Sequence, residues 1–71
     1  MNVIGKNIKR LRERKQMTQE QLAIRLTTLG WEVDRFVVSK IERGERQVTD
    51  IQVTLIADAL AVKLKELFGR E

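Results

Sequence analysis

The sequence has 71 residues, 42% hydrophobic and 34% charged, with no proline, cysteine or histidine and a net charge of +4. That is room for one domain with a small core, because a chain near this size buries only about 60% of the surface it exposes when unfolded. The composition excludes a disordered tail, disulfides and sulfur-ligated metals, and it implies no cofactor. Neither a membrane-spanning apolar run nor the apolar segment of a signal peptide is present, so a soluble, cytosolic protein is expected.

The apolar positions Ile4, Ile8 and Leu11 recur at helical spacing and predict a first helix from about 3 to 15. Lys6, Lys9, Arg10, Arg12, Arg14 and Lys15 against Glu13 give residues 1–16 a charge of +5, with Arg12 at the edge of the apolar stripe. Thr18 and Gln21 stand at capping-box spacing and open a second helix over about 18–29. Leu22, Leu26 and Leu29 form its face, and Gly30 suits the left-handed residue that ends it.

Asp34 is a good N-cap for a third helix over about 35–43, and Gly44 stops it. At about 100° per residue from Val38, the inward side collects Val38 and Ile41, with Val37 at the margin. The opposite side collects Phe36, Ser39, Lys40 and Arg43, with Arg35 near the edge at the amino end. Residues 35–47 carry +2, whereas 17–34 sum to −2 and 48–71 to −1. Two basic regions thus stand apart from two mildly acidic ones, as expected if one side faces a polyanion; a basic first helix is equally the pattern of a solvated surface.

Thr49 and Gln52 repeat the capping-box spacing and open a fourth helix over about 50–61. Ile51, Val53, Leu55, Ile56, Ala59 and Leu60 make it apolar almost all round, which predicts a central place in the domain. Leu64, Leu67 and Phe68 mark a short fifth helix over 63–68. There is no repeat and no alternating strand pattern, so residues 1–71 are read as one all-α, five-helix domain.

Met17-Thr18-Gln19-Glu20-Gln21-Leu22-Ala23, followed by Val38-Ser39-Lys40-Ile41-Glu42-Arg43-Gly44-Glu45-Arg46, resembles the phage-repressor-like (Cro/Xre-type) helix-turn-helix family. Ile4, Gly5, Ile8, Leu11 and Arg12 before these motifs match as well, as do Ala59-Leu60-Ala61-Val62 and Glu66-Leu67-Phe68 after them. The resemblance implies a compact repressor-like DNA-binding domain, bacterial or phage-encoded, in which helices 2 and 3 form the reading unit. Helix 3 enters the major groove while helix 2 crosses the backbone. A small Ala23 then lets helix 2 approach helix 3 closely.

On this resemblance the chain is a transcriptional regulator, a repressor, binding double-stranded DNA. Arg35 and Lys40 are candidates for base contact, since both donate to guanine O6 and N7. A phosphate contact or a salt bridge with Glu32 is the alternative for Arg35, and a phosphate contact for Lys40. Phe36 departs from the polar residue common in the family; it either meets thymine methyl groups or folds back onto Trp31 or another part of the linker as satellite core. Ser39 shares that reading face. Gln19 falls where the family holds a phosphate at a helix N-terminus, and Thr18 is placed to do the same or to serve only as a cap. Arg43, Arg46 and Gln47, between helices 3 and 4, are placed to grip the flanking backbone or are solvated loop residues. Arg12 and Glu42 match a structural ion pair. Family dimers pair through the C-terminal region, where Leu64, Leu67 and Phe68 either form an apolar dimer patch or close the core.

Two departures stand out. The connection from Leu26 to Arg35, with Thr27, Thr28, Leu29, Gly30, Trp31 and Glu32, is about five residues longer than the short family turn. Trp31 is expected to pack beneath it, beside the outward-facing Ile24, with a DNA contact as the weaker alternative. Ala61 and Lys63 replace a common Gly and a capping Ser or Thr, which predicts a less sharply made corner between helices 4 and 5. Among rival functions, catalysis lacks histidine, cysteine and any evident acid pair. A protein-binding module, such as an antitoxin whose DNA binding is coupled to a protein partner, is compatible with the same fold.

Overall fold

Ile8 and Leu11 are almost fully buried along one side of α1 (Val3–Arg14), where Ile4 packs at the core margin. The computed structural model describes residues 3–69, and α1 is followed by α2 (Gln19–Thr28), α3 (Arg35–Glu42), α4 (Asp50–Leu60) and α5 (Leu64–Leu67). α3 packs on α1 and α2, while α4 rests against α2, α1 and α5. The result measures 27 × 23 × 22 Å. Among the described residues no helix is long and apolar enough to cross a membrane.

Local chemistry sets where the helices start. Thr18 and Gln21 form a reciprocal capping box, the Thr18 hydroxyl accepting from the Gln21 N–H at 3.0 Å and the Gln21 carbonyl oxygen from the Thr18 N–H at 2.8 Å. Thr49 and Gln52 repeat the arrangement at α4, and Asp34 Oδ1 accepts from the Val37 N–H at 3.0 Å to open α3. Each cap satisfies amides that a helix start otherwise leaves unpaired.

The ends of α1 to α4 share one solution. At each, a residue with positive φ lets its own N–H and the next one bond back to the last turn, the Schellman arrangement. Gly30 and its follower Trp31 close α2 this way (Gly30 N to Thr27 O, Trp31 N to Leu26 O), and Gly44 and Glu45 close α3 (to Ile41 O and Lys40 O). Gln16 ends α1 and Ala61 ends α4, both at φ 57°. The corner after α4 is therefore fully made, with Ala61 N on Asp58 O and Val62 N on Ala57 O, although Lys63 supplies no side-chain cap. A Cβ in this conformation costs about 1–2 kcal/mol, against which glycine's extra freedom when unfolded must be set. Ala61→Gly is thus expected to stabilise the domain by about 1 kcal/mol. A urea midpoint that rises at unchanged slope is the readout, and an unchanged or lower midpoint contradicts the account.

Two burial patterns differ from the sequence expectation. α4 buries Val53, Ile56, Ala57, Ala59 and Leu60, but Ile51 remains 75% exposed, so the helix is covered on one broad side and not all round. Leu67 is fully buried and closes the core, which removes it from the candidate dimer patch; Leu64 and Phe68 stay about half exposed at 45% and 48%. Polar ties add to the packing: Asn7 Nδ2 donates to the Leu67 carbonyl at 2.9 Å, and Arg25 Nη1 to the Ala59 carbonyl at 3.1 Å. Both acceptors belong to helix-end turns, whose carbonyls lack intrahelical donors.

The long connection between α2 and α3 is anchored at both ends of its apolar content. Trp31 and Val33 pack partly buried against the core. Thr27 Oγ1 accepts from the Val33 N–H at 3.4 Å and donates to the Ala23 carbonyl at 3.0 Å. Ile24 stays 60% exposed, and the groove of about 540 Å³ beside it is lined by Val33, Arg35 and Phe36 but not by Trp31. Trp31 therefore packs against the core beneath the connection, and Ile24 is left largely exposed.

Candidate nucleic-acid interface

The eight residues of α3 divide cleanly. Val38 and Ile41 are buried and Val37 half-buried, while Arg35, Phe36, Lys40 and the C-cap Arg43 are exposed and Ser39 is partly so. The inward residues fix the helix to α1 and α2, and the outward ones form a continuous polar and basic face. Phe36 is the exception on that face: it is 63% exposed and does not fold back as core. The Arg35 guanidinium lies over its ring, 5.0 Å from the centroid, which is within cation–π range. Among the described residues Arg35 pairs with no carboxylate, Glu32 included.

Beneath the carboxyl end of α3 lies a buried polar node. Arg12 Nε donates to Glu42 Oε2 at 2.7 Å and Nη2 to Oε1 at 3.2 Å, while Nη1 donates to the Met17 carbonyl at 2.7 Å. The two side chains are only 9% and 2% exposed. Gln19 Nε2 completes the set, donating to Glu42 Oε1 at 3.0 Å. One carboxylate thus ties together α1, the first residue of α2 and the last residue of α3. Among the described residues no buried side-chain nitrogen or oxygen lacks a partner. The node sets the angle at which α3 is presented, and it places Gln19 next to the end of that helix.

Beyond Glu42 the surface is basic again. Arg43 donates from Nε and Nη2 to the two Glu45 carboxylate oxygens at 2.9 and 3.1 Å, and from Nη1 to Ser39 Oγ. The hydrogen bonds to Arg43, and next its charge, hold the Glu45 carboxyl below its ordinary value, with a smaller pull from Lys40. The same contacts raise the Arg43 guanidinium further above its own. Arg46 and Gln47 follow in the exposed loop, and Thr18 is exposed at the cap of α2. Thr18, Gln19, Arg43 and Arg46 therefore reach the surface from two segments that the Gln19–Glu42 bond brings together. Glu45 is the one member of this region that sequence reasoning did not single out. Its only sequence signal is a carboxylate two residues beyond Arg43, across the Gly44 turn.

Residues 8–67 match the model of a helix-turn-helix family. Among solved structures the chain is similar to the restriction-modification controller protein C.AhdI from Aeromonas hydrophila, with 33% identity, a TM-score of 0.82 and 94% of each chain covered. It is also similar to the wild-type restriction-modification controller protein C.Esp1396I, at 34% identity and a TM-score of 0.80, covering 96% of this chain and 83% of that one. The same controller has been crystallised as a tetramer with its natural 35 base-pair operator. No curated protein sequence matches the chain.

Proposed function

The chain belongs to the phage-repressor-like (Cro/C1-type) helix-turn-helix family of DNA-binding transcriptional regulators, and from that premise we propose how it reads DNA and as what assembly. α3 enters the major groove amino end first, with Arg35 pairing bidentately to guanine O6 and N7. Lys40 and Ser39 contact base edges further along, and Phe36 meets thymine methyls while its ring supports the Arg35 fork. Thr18 and Gln19 at the start of α2, with Arg43, Arg46 and Gln47 after α3, hold the flanking phosphates. The observation that carries this reading is the division of α3 itself: a buried Val38–Ile41 side braced by Arg12–Glu42, and an exposed basic side with no internal role for Arg35 beyond its own neighbour.

The assembly proposed is a symmetric dimer that reads two half-sites about one helical turn, 34–36 Å, apart. Its contact surface includes Leu64 and Phe68, two large apolar side chains left about half exposed at 45% and 48% on the short C-terminal helix. Its action is that of a repressor in the cytoplasm, and control of restriction-modification genes is the context suggested by the controllers it resembles. Catalysis has no place in this reading, as the chain contains neither histidine nor cysteine.

Sedimentation velocity of the chain with a labelled duplex, repeated over a salt series, tests both parts together. The complex is expected to contain two chains, and its association constant to fall with salt by about 0.9 in log–log slope for each phosphate neutralised. One chain per duplex removes the dimer, and a flat salt dependence removes the backbone contacts.

A further inference from the structure

We propose that Glu45 is a built-in competitor of DNA phosphate for Arg43, a carboxylate that occupies this clamp residue in the free protein and must release it when DNA binds. The inference rests on the reading of Arg43 as a backbone clamp and adds to it what controls that clamp. All three nitrogens of the Arg43 guanidinium are engaged, Nε and Nη2 by the two Glu45 oxygens and Nη1 by Ser39 Oγ. The two-oxygen grip of a carboxylate on a guanidinium is the geometry that a phosphate uses. Glu45 is thus a stereochemical substitute for the ligand assigned to Arg43.

The pair is preformed by the backbone. Gly44 at φ 79° turns the chain at the end of α3, and the Glu45 N–H bonds to the Lys40 carbonyl at 2.8 Å. These constraints hold Glu45 beside Arg43 without any side chain from another helix. The pair is also open: the two side chains are 54% and 56% exposed, so DNA reaches them without unfolding anything. Glu42, the other acid of the segment, is engaged by Arg12 and Gln19. Among the described residues Arg46 makes no ion pair, so the two clamp arginines differ: one is presented neutralised and the other free.

Binding exchanges the Arg43–Glu45 pair for an Arg43–phosphate pair and leaves a carboxylate close to the DNA. Arg43 consequently adds less to affinity and to counterion release than an unpaired arginine, on every sequence alike. Glu45 lowers binding across all duplexes without altering the preferred motif.

The test is Glu45→Gln in the intact chain, followed by anisotropy of a labelled preferred duplex and of an unrelated duplex of equal length over a salt series. Affinity for both is expected to rise roughly two- to five-fold near physiological salt. The log–log salt slope is expected to steepen by up to about 0.9, one more cation acting on a phosphate. In an Arg43→Gln background both gains should vanish. The same gains persisting there would overturn the proposal, because Glu45 would then act as a general negative charge. No gain in the otherwise native chain would overturn it too, while steep wild-type binding would leave the DNA-binding reading standing. Failure of the wild-type chain to bind either duplex would overturn both.

Discussion

Glu42→Ala is expected to destabilise the domain by about 3–5 kcal/mol, the cost of leaving one partner of a buried ion pair uncompensated. Arg12 is only 9% exposed at its side chain and would keep one hydrogen-bond acceptor, the Met17 carbonyl, with the exposed Glu13 carboxylate 4.0 Å away, for a charged group that donates three hydrogen bonds in the native state. Gln19 Nε2 would lose its acceptor in the same step. A domain of this length holds roughly 4–11 kcal/mol in all, so a loss of this size removes a large share of the margin and should move the urea midpoint far down. The pair itself is not a large net source of stability, since desolvating both charges offsets much of their attraction. Replacing both partners, Arg12→Met with Glu42→Leu, should therefore recover most of what the single change loses. Urea unfolding of the three variants decides the matter. A Glu42→Ala loss below about 0.5 kcal/mol would mean that the pair behaves as an exposed one and does not brace α3.

Arg35→Ala is expected to cost about 1–3 kcal/mol of binding on the preferred duplex and to relax discrimination at one base pair in each half-site. Stability should hardly change, because Arg35 is exposed and makes no ion pair among the described residues. Arg35→Lys should retain the salt slope but lose most of the discrimination, since an ammonium has no bidentate fork. Competition binding against duplexes substituted one position at a time gives both quantities. If Arg35→Ala weakened all sequences equally and left the base preference intact, the side chain would be a phosphate contact and its assignment wrong.

Features set by neighbouring residues were legible in the sequence. The capping pairs Thr18–Gln21 and Thr49–Gln52, the Asp34 cap and the Gly30 and Gly44 ends all depend on contacts within one turn, and spacing alone reveals them. The two sides of α3 were legible for the same reason, as an eight-residue helix gives its period enough turns to define a face. The left-handed Gln16 and Ala61 carry no such signal. Their conformation follows from where α2 and α5 must dock, and tertiary packing overrides local preference there. Leu67 was indistinguishable from Leu64 and Phe68 because a four-residue helix is barely one turn long, too short for periodicity to say which of three apolar residues turns inward. Ile51 illustrates the converse: an apolar residue in a helix of mostly apolar residues can still face solvent when its side of the helix has no neighbour. Asn7, Arg25 and Glu45 were missed because their bonds join distant segments or cross a turn, where helical spacing does not apply.

The mounting of α3 is the point at which structure adds most to the sequence reading. A connection longer than the family turn leaves the orientation of the following helix open in sequence. Here Trp31 and Val33 pack against the core, Thr27 bonds across the connection, and Glu42 fastens the far end of α3 to Arg12 and Gln19. The helix is held at both ends, so its outward face is a fixed surface.

Selection from a pool of random duplexes by the wild-type chain tests the central claim most directly. The account predicts an enriched, two-fold symmetric motif with a guanine in each half-site and the half-sites about one helical turn apart. Recovery of a pool indistinguishable from the starting one, with no enriched sequence at any salt concentration, would contradict it.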